Sequence, residues 1–159
     1  TLGQVLLVTS PTHIARIGTL PVPVRYPAVA VIGSGTGERV LVVGGESGGV
    51  ATTAVQEVDP ATGAARIVGR LPSPRTQAGA LVLGGSVFVC GGASSGSGSA
   101  TTYDDVLRWA PETDTFVVAG RLPYPVADAA AVTADGRTGY LIGGETPARV
   151  ATTLVLTAR

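Results

Sequence analysis

The sequence predicts an all-β protein, a segment of a β-propeller with about three four-stranded antiparallel blades. Three observations predict it. Leu20-Pro21-Val22-Pro23, Leu71-Pro72-Ser73-Pro74 and Leu122-Pro123-Tyr124-Pro125 recur at a spacing of 51 residues. Gly44-Gly45, Gly91-Gly92 and Gly143-Gly144 each close a short apolar run. The composition, 45% apolar with 23 Gly, 11 Pro and only 14% charged residues, describes a turn-rich, well-buried chain. Helical periodicity is nearly absent.

Each repeat is built from four strands. After Leu-Pro-x-Pro comes a strand of small apolar residues, expected at 28–32, 78–83 and 129–133. A second strand follows and ends in the glycine pair: RVLVVGG, SVFVCGG and GYLIGG. The turn between these two strands is GSGTG at residues 33–37, LGGS in the second repeat and TADGRTG in the third. GSGTG resembles the start of a dinucleotide fingerprint, but Glu38 stands where a third glycine belongs and another strand follows where a helix is required. It turns the chain.

The third strand, TAVQEV or DDVLRW, follows a loop of small residues and closes in an x-Pro turn, DPATG or APETD. The fourth strand, ARIVG or TFVVAG, leads into the next Leu-Pro. Four strands joined by short turns make one twisted sheet, apolar on both faces, which must stack on its neighbours. Stacking around an axis gives a propeller.

By this alignment residues 20–70 and 71–121 are complete blades. Residues 1–19 supply the third and fourth strands of a partial blade, with Ser10-Pro11 standing for Asp59-Pro60, and residues 122–159 form an incomplete blade. The order of two strands, Gly-Gly, aromatic, x-Pro turn, second aromatic and Leu-Pro resembles the kelch repeat, whose period is about 50 residues. Trp109 and Phe116 supply the kelch aromatic pair in the second repeat, and Val58 and Ala65 replace it in the first. Propellers have about 4–8 blades. A second copy joined head to tail in a six-bladed ring, or the rest of a longer chain, is expected to complete this one. Strand exchange through residues 15–18 is the favoured route.

Charge and residue inventory exclude several classes. Eleven acidic and eleven basic residues cancel, which offers no field for nucleic acid or an anionic membrane. No apolar run has the length of a membrane span, and no N-terminal signal segment is legible. A soluble chain is expected, cytoplasmic or secreted after removal of a leader. The sequence contains no Met, no Lys and no Asn, and all its basic residues are Arg, consistent with a GC-rich bacterial source.

Metal and cofactor chemistry are not expected. His13 is the one histidine and Cys90 the one cysteine. Kelch-bladed copper-radical oxidases use a Tyr-Cys crosslink and two His, which this chain cannot supply. No Gly-x-Ser-x-Gly elbow marks a hydrolase. Cys90 occupies the place of Val43 and Ile142 and reads as a small buried hydrophobe.

In a four-stranded meander, the link from second to third strand and the link between blades emerge on the same face of the disc. The candidate binding residues lie there: Arg25 and Tyr26, Arg75, Thr76 and Gln77, and Asp128 on the inter-blade links. Glu46 and Ser47, Ala93, Ser94 and Ser95, and Glu145 and Thr146 follow the glycine pairs. In kelch interaction domains, which these links resemble, the matching Arg lines the partner pocket. The resemblance implies a noncatalytic module that binds a protein or small ligand. The alternative is a carbohydrate-active propeller of the sialic-acid mutarotase kind, in which Arg25, Arg75, Glu46 and Glu145 would surround the channel. The Ser/Gly loop at residues 93–102 reads as a mobile surface loop.

Overall fold

The computed structural model describes residues 3–95, 100–146, 148–149 and 151–158. Among the described residues there is no α-helix; the one helical turn is 3-10, at Gly35–Gly37. The fold is a β-propeller segment. Strands β1 (Gln4–Ser10) and β2 (His13–Thr19) form a hairpin. The first four-stranded blade orders β3 (Ala28–Ile32), β4 (Arg39–Val43), β7 (Ala54–Val58) and β8 (Ala65–Arg70). A two-residue ladder, β5 (Glu46–Ser47) with β6 (Val50–Ala51), sits in its second loop.

The second blade orders β9 (Gly79–Leu83), β10 (Ser86–Cys90), β11 (Asp105–Ala110) and β12 (Thr115–Arg121). In the last sheet β13 (Ala130–Thr133), β14 (Thr138–Ile142) and β17 (Thr153–Thr157) pair in that order. β15 (Glu145–Thr146) and β16 (Ala148–Arg149) form its loop ladder. One parallel bridge, Arg70 with Thr115, joins the outer strands of the two complete blades.

The core lies between blades. Side chains alternate along a strand, so a blade offers one set of residues to each neighbour. Val87 and Val89 of β10 face the preceding blade and join Leu41, Val43, Val55, Leu71, Trp109 and Phe116. Leu81 and Leu83 of β9 and Cys90 of β10 face the following sheet and join Val106, Leu122, Val126 and Leu141. The leucine of Leu-Pro is therefore an inter-blade anchor. Trp109 and Phe116 are cross-strand partners with ring centroids 5.1 Å apart and planes tilted by 52°. The innermost strands carry Ala28, Ala30, Gly79, Ala130 and Ala131, small residues that fit where blades converge on the axis.

The glycine pairs are crossing points. The link leaving one blade passes over the pair of that same blade: Gly45 N–H donates to the Arg75 carbonyl and Gly92 N–H to that of Val126, each at 2.8 Å. A side chain at Gly44 or Gly91 would overlap those carbonyls, and both residues have positive φ. Gln56 secures the other link of the first blade, the one that enters it. Fully buried, its side-chain amide donates to the Val22 carbonyl at 2.9 Å and accepts from Val22 N–H at 2.8 Å.

Exposed apolar residues include Leu6, Val8 and Ile14 on the hairpin, Val132, Ile142 and Val155 on the last sheet, and Val29, Val31, Ile67 and Val118 on the complete blades. β2 is paired with β1 from Gln4↔Thr19 to Ser10↔His13. Exchange of residues 15–18 into another copy would require β1 to leave that edge.

Candidate functional site

The site is built on the links between blades. Arg25, Thr76 and Ala127 occupy equivalent positions, and each makes a reciprocal backbone pair with the residue after its blade's glycines. Arg25 pairs with Glu46, Thr76 with Ala93 and Ala127 with Glu145, at 2.8–3.0 Å. One residue further on, Tyr26, Gln77 and Asp128 are equivalent, and all three are left-handed, with φ of 53°, 56° and 58°. Gln77 N–H donates to the Tyr26 carbonyl at 3.0 Å and Asp128 N–H to the Gln77 carbonyl at 2.9 Å. The three form a staircase across successive blades.

Arg25 and Arg75 are not equivalent, although sequence reasoning treated them as a pair. Arg75 aligns with Val24 and Val126, one position earlier, and that single step reverses its direction. Its side chain is 1% exposed. Nη1 donates to Asp105 Oδ1 and to the Gly91 carbonyl, both at 2.6 Å, and Nη2 to Asp105 Oδ2 at 3.0 Å. The guanidinium lies 4.1 Å from the Tyr103 ring centroid. This bidentate, stacked arrangement clamps the glycine pair to the start of β11. In this structure Arg75 is a buried tie and cannot line an open binding surface.

Arg25 is the outward one, with its side chain 57% exposed. Its guanidinium is ion-paired to Glu46 Oε1, with Nε donating at 3.0 Å, and lies 5.2 Å from the Tyr26 ring centroid. The hydrogen bond to Glu46 and the Glu46 charge hold this guanidinium more firmly protonated than an isolated one. Glu46 itself is 2% exposed, so it anchors Arg25 from below. The cation, paired with Glu46 on one side, is left partly facing solvent.

The other sequence candidates divide in the same way. Tyr26, Asp128 and Glu145 are exposed and Gln77 is half-buried. Ser94 is occupied at the base of its loop: its hydroxyl accepts from Thr101 N–H at 3.0 Å and its own N–H donates to the Thr101 carbonyl at 2.9 Å. The expectation of a mobile Ser/Gly loop falls largely on residues 96–99, which lie outside the described residues. Cys90 is buried, and desolvation pushes its thiol up to about 12, with Arg75 lowering it and Asp105 raising it. Among the described residues no group of three or more His, Cys, Asp or Glu is placed to hold a metal ion.

These blades are similar to part of N-acetylneuraminate epimerase. The enzyme of that name from Yersinia enterocolitica is 34% identical over 128 aligned residues, which cover 76% of this chain and 33% of the relative. The Yersinia pestis protein of the same name is 32% identical over the same extent. The chain thus spans about a third of the length of these curated relatives. The solved structure of YjhT superimposes with a TM-score of 0.76 at 19% identity, covering 97% of this chain and 56% of that one. No protein-family model matches the chain.

Sequence reasoning missed Asp105, Tyr103 and Gln56. Gln56 was detectable as a polar residue at a core-facing position of an apolar strand. Asp105 and Tyr103 carried no local signal, because their partner lies 28–30 residues earlier. None of the described helices is long and apolar enough to cross a membrane.

Proposed function

We propose that these blades form part of the substrate face of a sugar-acid epimerase that interconverts the anomers of N-acetylneuraminate. The blades are of the kelch type, a reading supported by the Trp109–Phe116 pair and the glycine crossings. The observation that carries the functional reading is the similarity to N-acetylneuraminate epimerase over 128 aligned residues. It favours the enzymatic reading over the noncatalytic binding module expected from the repeat alone.

The site chemistry agrees with this reading. The substrate class carries a carboxylate next to its anomeric carbon, and Arg25 offers an exposed guanidinium fixed by a buried carboxylate. Anomer exchange requires the anomeric hydroxyl to lose a proton while the bond to the ring oxygen breaks and that oxygen gains one. Closure from the other face reverses both transfers. Glu145 presents a solvent-facing carboxylate for proton transfer, at the position equivalent to Glu46. Arg75 is assigned no role at the substrate, since it is buried and both of its Nη groups donate within the fold.

The test is proton NMR of the return to anomeric equilibrium after dissolving one anomer of N-acetylneuraminate. The protein is expected to accelerate the exchange, and Arg25→Ala to remove at least about tenfold of that acceleration. An exchange rate unaffected by the protein overturns the proposal.

A further inference from the structure

The staircase of Tyr26, Gln77 and Asp128 has a feature that packing does not require. All three residues have φ between 53° and 58°, a region that disfavours L residues other than Asn, Asp and, less often, His. Glycine would satisfy the same backbone bonds without strain, and this chain uses glycine freely elsewhere. Instead three different polar side chains stand at three equivalent places. Backbone bonding between them sets Tyr26, Gln77 and Asp128 side by side on successive blades.

The side chains also change character in order. Tyr26 lies beside the Arg25 cation, Gln77 is a neutral amide, and Asp128 is a carboxylate next to the Ala127–Glu145 bridge. A ligand with an anionic end and a hydroxyl-bearing end fits this gradient in one direction only. Carboxylates and amides recognise vicinal hydroxyls as paired acceptors and donors.

We infer that Gln77 and Asp128 form a hydroxyl-reading subsite that orients a polyhydroxylated sugar acid whose carboxylate is held at Arg25 and whose ring or chain passes Tyr26. The inference rests on the reading of this face as the sugar-acid site and adds what selects the ligand. Loss of one such contact corresponds to about a three- to tenfold loss of affinity.

The test compares N-acetylneuraminate with its analogue truncated in the glycerol side chain, by NMR titration of the protein and of Gln77→Gly, Asp128→Gly and Gln77→Asn. The wild-type protein is expected to prefer the full sugar by about five- to tenfold. Either glycine variant should erase most of that preference, and Gln77→Gly should also raise Tm by roughly 2–4 °C through relief of the left-handed strain. Gln77→Asn, which keeps an amide and tolerates the backbone, should retain part of the preference. Equal wild-type affinity for both sugars, no binding of either, or a preference that survives both glycine variants overturns the inference. Wild-type binding with the expected preference but without accelerated anomer exchange supports the subsite and removes the epimerase reading.

Discussion

Gly69→Ala, compared with Gly120→Ala, tests how the blades are held together. The two glycines occupy the same place in their repeats, three residues before the proline of Leu-Pro-x-Pro, on the fourth strand of a blade. A Cβ on Gly69 would overlap the Asp114 carbonyl and lie 2.6 Å from Trp109 Cη2, whereas a Cβ on Gly120 would meet nothing within 4 Å. Trp109 is 9% exposed and packed in the core, so it cannot step aside. Overpacking of this kind costs about 1–3 kcal/mol. Displacing the Asp114 turn also strains the bond from Arg70 N–H to the Asp114 carbonyl, at 3.4 Å, worth at most about 1 kcal/mol. Gly69→Ala is therefore expected to lose about 1–4 kcal/mol, a fall in Tm of roughly 2–16 °C at about 2–4 °C per kcal/mol. Gly120→Ala should be neutral or slightly stabilising, since alanine restricts the unfolded chain. Urea and thermal melts of both variants decide the matter. Equal destabilisation would refute the argument and show that something covers Gly120 in solution.

Two further variants test the buried polar centre. Arg75→Ala leaves Asp105 and the Gly91 carbonyl without their donors and is expected to cost about 3–5 kcal/mol, with Arg75→Lys recovering little because it lacks the planar fork; a loss under 1 kcal/mol by urea melt would be incompatible with the clamp. Cys90 in the folded protein should resist alkylation at pH 8 and react quickly in urea. Its raised thiol pKa also sets a direction for stability. Below the ordinary thiol value both states keep the proton and stability is complete, but between about pH 9 and 12 the unfolded chain loses the proton first, so stability falls by up to about 1.4 kcal/mol per pH unit. Cys90→Val should flatten that slope, and an unchanged slope would assign it to other groups.

The repeat was legible because its markers have local physical causes. The leucine of Leu-Pro anchors a blade interface, the prolines shape the link, and the glycine pair leaves room for that link to pass. Each leaves a fixed residue type at a fixed place. The candidate site was legible only as a face. Arg25 and Arg75 look alike beside Leu-Pro-x-Pro, yet they differ by one position, and in extended chain one position reverses a side chain. One became an outward cation and the other a buried tie. The sequence also gives no sign that Tyr26, Gln77 and Asp128 are left-handed, because none is the glycine that usually reports that geometry.

The glycine crossings carry a consequence for synthesis. The carbonyl that closes Gly45 belongs to Arg75, and the one that closes Gly92 belongs to Val126, so each glycine pair receives its closing backbone bond about 30 residues after it has been made. A blade emerging from the ribosome therefore stays unlatched until the following link arrives. Growth of this fold is vectorial, with every newly made link locking the blade behind it.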